Sequence, residues 1–171
     1  MDSLIWPENR KSIQVIERPP TSLIEAVHAR KPADVKAFLD RGEDNLKNDP
    51  RFLIEACRYA APDEKQEARA IQIVRLLLTR GANVNAATAL GETALHHASY
   101  AGLAGRVEVL LEFGADRTMK IKSRGKAFLP IDVALANRRT FRGPNIRFND
   151  VIGLLERPES WQPLPRAIPQ P

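Results

Sequence analysis

The chain has 171 residues, 43% hydrophobic and 27% charged, which is enough for one well-buried domain and too apolar for disorder throughout. It has no run of eighteen apolar residues, and its start, MDSLIWPENRKSIQ, lacks a basic stretch followed by an apolar core; the expectation is an intracellular protein, cytoplasmic or nuclear, with neither membrane span nor secretory signal. The lone Cys57 excludes an internal disulfide, and the formal net charge of +5 is uneven, with nine Lys or Arg against one acid, Asp132, between Arg117 and Arg147.

Along the chain, residues 1–20 carry Ile5, Trp6, Ile13, Val15 and Ile16 and are read as an N-terminal capping segment. Four segments then start alike: LIEAV from Leu23, LIEAC from Leu53, LHHAS from Leu95 and IDVAL from Ile131. In each, a large aliphatic residue is followed three positions later by Ala26, Ala56, Ala98 or Ala134, the spacing of one helical face. A second apolar signature follows every start: Val35 with Phe38 and Leu39, Val74 with Leu77 and Leu78, Val107 with Leu110 and Leu111, Val151 with Leu154 and Leu155. The second and fourth units need insertions, and the polar text there, APDEKQEA and RRTFRGPN, suits a lengthened turn between helices. Gly42, Gly81 and Gly114 end three of the second helices where a left-handed cap is needed, and Pro158 takes that place in the fourth. These signals predict an all-α repeat domain over 21–157, in units 21–48, 49–87, 88–120 and 121–157. A Pro-rich C-terminal tail, 158–171, holds Trp161, Leu164 and Ile168 and is read as a second cap or docking segment.

The stretches GETALHHASYAGLAGRVEVLLEFGAD and LLLTRGANVNA resemble the ankyrin repeat, whose pattern includes T-P-L-H-x-A. The resemblance implies a helix-turn-helix repeat solenoid with hairpin-like loops and a concave face that binds a partner, as well as a structural hydrogen-bonded pairing of Thr93 with His96. The second unit departs from the pattern with RFLIEAC, and the fourth reads FLPIDVA, with Pro130 in the family's proline position and a longer loop near KSRGKA.

His97 is rotated about 200° from Leu95 and is expected to point away from the core. Matching positions are Glu25, Glu55 and Val133. One turn on, the same face offers His28 and Ala29, Arg58 and Tyr59, Tyr100 and Ala101, and Ala136 and Asn137. The expected recognition surface is therefore Glu25, Glu55, Arg58, Tyr59, His97 and Tyr100, with Leu90 and Glu92 from the preceding loop, on an adaptor or inhibitor that works by occupancy. A solvated face is the plainer alternative. A rival reading pairs Glu55 with His97 as an acid/base couple in a small-molecule site, although no phosphate loop or nucleophile elbow accompanies them. No cofactor is expected. No metal site is expected either, because adjacent helical histidines diverge by about 100° and only three histidines exist. Lys122, Lys126, Arg138, Arg139, Arg142 and Arg147 form an expected anionic-partner patch. Its natural ligand is an acidic protein segment, and nonspecific nucleic-acid binding, with Phe141 and Phe148 interleaved, is the alternative.

Overall fold

The computed structural model describes residues 19–42, 45–123, 126–138 and 146–157. The expected N-terminal cap up to residue 18, the tail 158–171 and the patch residues Arg139 and Arg142 with Phe141 lie outside them. Among the described residues, eight helices follow in chain order: α1 (Leu23–His28), α2 (Pro32–Arg41), α3 (Arg51–Arg58), α4 (Glu64–Thr79), α5 (Ala94–Tyr100), α6 (Ala104–Glu112), α7 (Pro130–Asn137) and α8 (Phe148–Glu156). Between α6 and α7 the antiparallel strands β1 (Ile121–Ser123) and β2 (Lys126–Phe128) pair Ile121 with Phe128 and Lys122 with Ala127.

Local chemistry fixes the helix starts. The Ser22 and Asp63 side chains accept the backbone N–H groups of Glu25 and Gln66, while Pro32 and Pro130 occupy first-turn positions where a missing N–H is harmless. Thr93 opens α5 in a capping box with His96, its hydroxyl 2.9 Å from the ring Nδ1. Gly42, Gly81 and Gly114 close the second helices at φ of 71°, 91° and 82°, left-handed conformations that a side chain disfavours.

The first helices stack as α1, α3, α5, α7 and the second as α2, α4, α6, α8, with each pair packed together. None of these short helices buries its apolar stripe alone; one continuous core runs through the stack, from Leu23 and Val35 through Leu53, Ile73, Leu77, Leu95 and Leu110 to Val151. Polar contacts also tie neighbouring units together: Arg80 reaches Asp40 and Arg75 reaches Glu112, both at 2.6 Å, and the Asn85 amide bridges the Gly114 carbonyl and the Asp116 N–H. Among the described residues, no helix is long and apolar enough to cross a membrane.

Candidate functional site

On the open side of α1 and α3, four expected surface residues or their neighbours meet. Glu55 accepts a 2.6 Å contact from the His28 ring Nδ1, and Arg58 approaches the same carboxylate at 3.8 Å. The Arg58 guanidinium lies 5.5 Å from the centre of the Tyr59 ring, and His28 meets Tyr59 edge-on at 6.4 Å. His28 and Arg58 are exposed, while Glu55 and Tyr59 are half-buried.

Two arginines beneath this cluster hold its backbone. Arg106 of α6 is 1% exposed. Its fork clasps Glu67 at 3.0 and 2.5 Å, and its remaining nitrogen donates to the Ala56 and Tyr59 carbonyls, both at 2.9 Å. Arg30, in the turn after α1, donates to the same Tyr59 carbonyl at 3.1 Å and to Ala60 at 3.2 Å. The carbonyls left open at the end of α3 are thus capped by arginines from both neighbouring units, and Glu67, inside the insertion of the second unit, supplies the counter-charge. Burial, and Arg106 beside it, draws the Arg30 guanidinium below its usual range. The backbone at Arg30 is itself left-handed, φ 51°.

Sequence periodicity misses this network because it treats charged residues as surface. A signal exists nonetheless: Leu103, Arg106, Val107 and Leu110 follow the spacing i, i+3, i+4, i+7, so Arg106 fills a core slot, and the same register position in the second unit is the buried Ile73.

Three expectations need correction. His97 does not point outward. It is 6% exposed, because α5 packs on α3, α6 and α7 together, which buries every residue from Ala94 to Ser99 rather than one stripe. Val133, matched to it in the fourth unit, is fully buried as well. Burial, then the charges of Arg58 and His96, pushes the His97 pKa down to about 4, so the ring is neutral at pH 7. Second, Glu55 pairs with His28 of the preceding unit, and the expected Glu55 and His97 acid/base couple is replaced by that contact. Third, Lys122 and Lys126 lie at non-paired positions of the hairpin and, by strand alternation, project from opposite faces; Lys122 shares its face with Lys120. Both are exposed, as are Arg138 and Arg147, the latter 3.9 Å from Asp150.

The remaining residues are placed as follows. Glu25 is half-buried, and its carboxylate accepts the Thr21 N–H and hydroxyl at 2.7 and 2.9 Å, securing the start of its own helix. Tyr100 is half-buried at the end of α5. Leu90 is 61% exposed at a loop tip. The Thr88 hydroxyl accepts the Leu90 and Glu92 N–H groups, the Thr88 carbonyl accepts that of Gly91, and the Leu90 carbonyl accepts the Lys122 N–H at 3.1 Å. The backbone at this tip is therefore tied to the next unit's strand.

A cleft of about 10 Å³ lies between the first two units, lined by Val27, His28, Arg30, Glu55 and Tyr59 among others. That volume admits one water and not a metabolite. Among the described residues, no three His, Cys, Asp or Glu side chains gather as metal ligands. Cys57 is fully buried, and burial pushes its thiol up to about 12, so it serves as packing rather than as a nucleophile.

The family described as "Ankyrin repeats (3 copies)" matches residues 23–121, more than half of the chain. The mouse (Mus musculus) protein named "B-cell lymphoma 3 protein homolog" is 36% identical over 104 residues, which are 58% of this chain and 21% of that protein. The chain thus matches about a fifth of that relative's length.

Proposed function

This chain belongs to the ankyrin-repeat family, a fold of protein-interaction modules, and on that footing we propose that it is an adaptor or inhibitor acting by occupancy. Its partner docks along the open side of α1, α3 and α5, against Arg58, Tyr59 and Tyr100, and reaches the tip at Leu90 and Glu92. One observation carries this reading: the Tyr59 backbone is fixed from two sides by the buried Arg30 and Arg106. Tyrosine and arginine dominate binding hot spots, and a side chain whose backbone is already immobile loses less freedom when it is covered. His97 has no part in this surface, while His28 joins it.

The partner segment that meets the fourth unit is acidic in this reading. Lys120 and Lys122 stand on one hairpin face beside Leu90, and Arg138 and Arg147 are two further exposed cations of the same unit. To test the surface, partners are recovered from lysate with the wild-type chain and with a Arg58→Glu, Tyr59→Ala, Tyr100→Ala variant, alongside Lys36→Glu on the far side as a control. The expected result is loss of the specific partners from the triple variant alone; an unchanged profile from a folded triple variant refutes the assignment.

A further inference from the structure

The hairpin of the fourth unit has one edge closed and, among the described residues, the other open. β1 and β2 pair Ile121 with Phe128, Lys122 with Ala127 and Ser123 with Lys126. The Lys122 N–H points away from β2, since it donates to the Leu90 carbonyl at 3.1 Å. In an antiparallel ladder, opposed residues alternate between exchanging both backbone bonds and exchanging none. Lys122 and Ala127 are therefore a pair of the second kind, and the Ala127 N–H and C=O point outward from β2, where no described residue bonds them. Lys126 and Ala127 are exposed, and Phe128 is half-buried. The tip of the third unit thus occupies the β1 edge, while the β2 edge offers one donor and one acceptor to a further strand.

We propose that β2 takes an extended segment of a partner protein as an added strand, and that this segment alternates acidic with apolar residues. The inference rests on the reading of the chain as a protein-interaction module and says how the acidic partner segment is seated. Strand addition draws affinity from main-chain bonds and specificity from alternate side chains. Partner side chains on the Ala127 face come toward Lys122, two strand spacings or about 9–10 Å away, a gap that lysine and glutamate side chains bridge together over the small Ala127. Those on the other face meet Phe128. Charge selects the occupant: from Arg117 to Ile131 the sequence has five Lys or Arg and no acid. A second copy of the hairpin would bring cations against cations, whereas an acidic strand neutralises them.

The test follows the amides of the isotopically labelled full chain by NMR. In the free protein the Ala127 amide should exchange as an unprotected one and the Lys122 amide distinctly more slowly. A protected Ala127 amide overturns the open edge, and protection that grows with protein concentration assigns the edge to a second copy and overturns the proposal equally. The probe is the peptide acetyl-Glu-Val-Glu-Val-Glu-Val-amide, with acetyl-Glu-Glu-Glu-Val-Val-Val-amide as a control of the same charge without the alternation. The alternating peptide is expected to shift the amides from Lys126 to Phe128 and to slow exchange at Ala127. It should bind about tenfold more tightly than the control, the equivalent of one or two hydrogen bonds. Ala127→Pro removes the outward N–H and no bond of the hairpin, so it should cost the alternating peptide a similar factor while cross-strand contacts between β1 and β2 persist. No binding, equal binding of the two peptides, or binding indifferent to Ala127→Pro overturns strand addition. Capture of partners through Arg58, Tyr59 and Tyr100 is read separately, so a chain that keeps its lysate partners and ignores the peptide loses this inference alone.

Discussion

At the scale of single residues, His97 and Arg106 show what burial does to polar groups, and each makes a measurable demand. The folded protein holds His97 neutral, with its pKa near 4 against about 6.5 when unfolded, and His96 is lowered in the same direction by burial. A lowered histidine pKa means that the unfolded chain binds the proton first. The stability is therefore complete above about pH 6.5 and drains away as pH falls toward 4, by on the order of 3 kcal/mol for His97. Urea midpoints measured from pH 7 to pH 4.5 should fall, and His97→Gln should flatten that fall; a midpoint flat with pH contradicts the account. For Arg106, replacement by alanine strands Glu67, removes the arginine donor from the Ala56 carbonyl and leaves the Tyr59 carbonyl to Arg30 alone. The expected loss is about 3–5 kcal/mol in chemical denaturation, and a loss below about 1 kcal/mol would mean that the network adds little to stability.

At the scale of elements, the loop tip of the third unit depends on one glycine. Gly91 has φ 83°, and a Cβ there would lie 2.6 Å from the Lys120 carbonyl oxygen. Gly42 is also left-handed, φ 71°, but a Cβ at that position meets nothing within 4 Å. Gly42→Ala should therefore lose only the handedness term, about 1–2 kcal/mol, and Gly91→Ala distinctly more, because the hairpin must also back away from the tip. Equal losses in thermal or urea unfolding would show that the close approach is unimportant. These elements were largely legible beforehand. The repeated aliphatic-x-x-Ala starts, the terminal glycines and Thr93 at a helix start are local signals, and the backbone obeys them. The orientation of His97 was not legible, since a wheel drawn for one helix assigns it one packed face, whereas α5 is enclosed by three neighbours.

For the whole molecule, the arginine network makes the first three units mutually dependent. Arg30 from the first and Arg106 from the third converge on the Tyr59 carbonyl of the second, so the surface proposed at Arg58 and Tyr59 rests on contacts across the stack. What could be read from residue type and helical spacing is exposure: Arg58, Tyr59, Tyr100, Leu90 and Glu92 keep open or half-open positions. The partner of Glu55 could not, because His28 and Glu55 lie 27 residues apart and their meeting is set by stacking geometry. The patch in the fourth unit was legible as charge but not as a shape, since strand alternation separates Lys122 from Lys126.

The surface assignment is tested most directly by amide hydrogen exchange on the wild-type chain with and without the tightest partner recovered from lysate. Slowed exchange is predicted at 55–61 and 88–92 and at the C-terminal end of α5, with no change along the outer faces of α2, α4 and α6. Protection confined to those outer helices, or none at Tyr59 and Leu90 under saturating partner, would contradict the assignment.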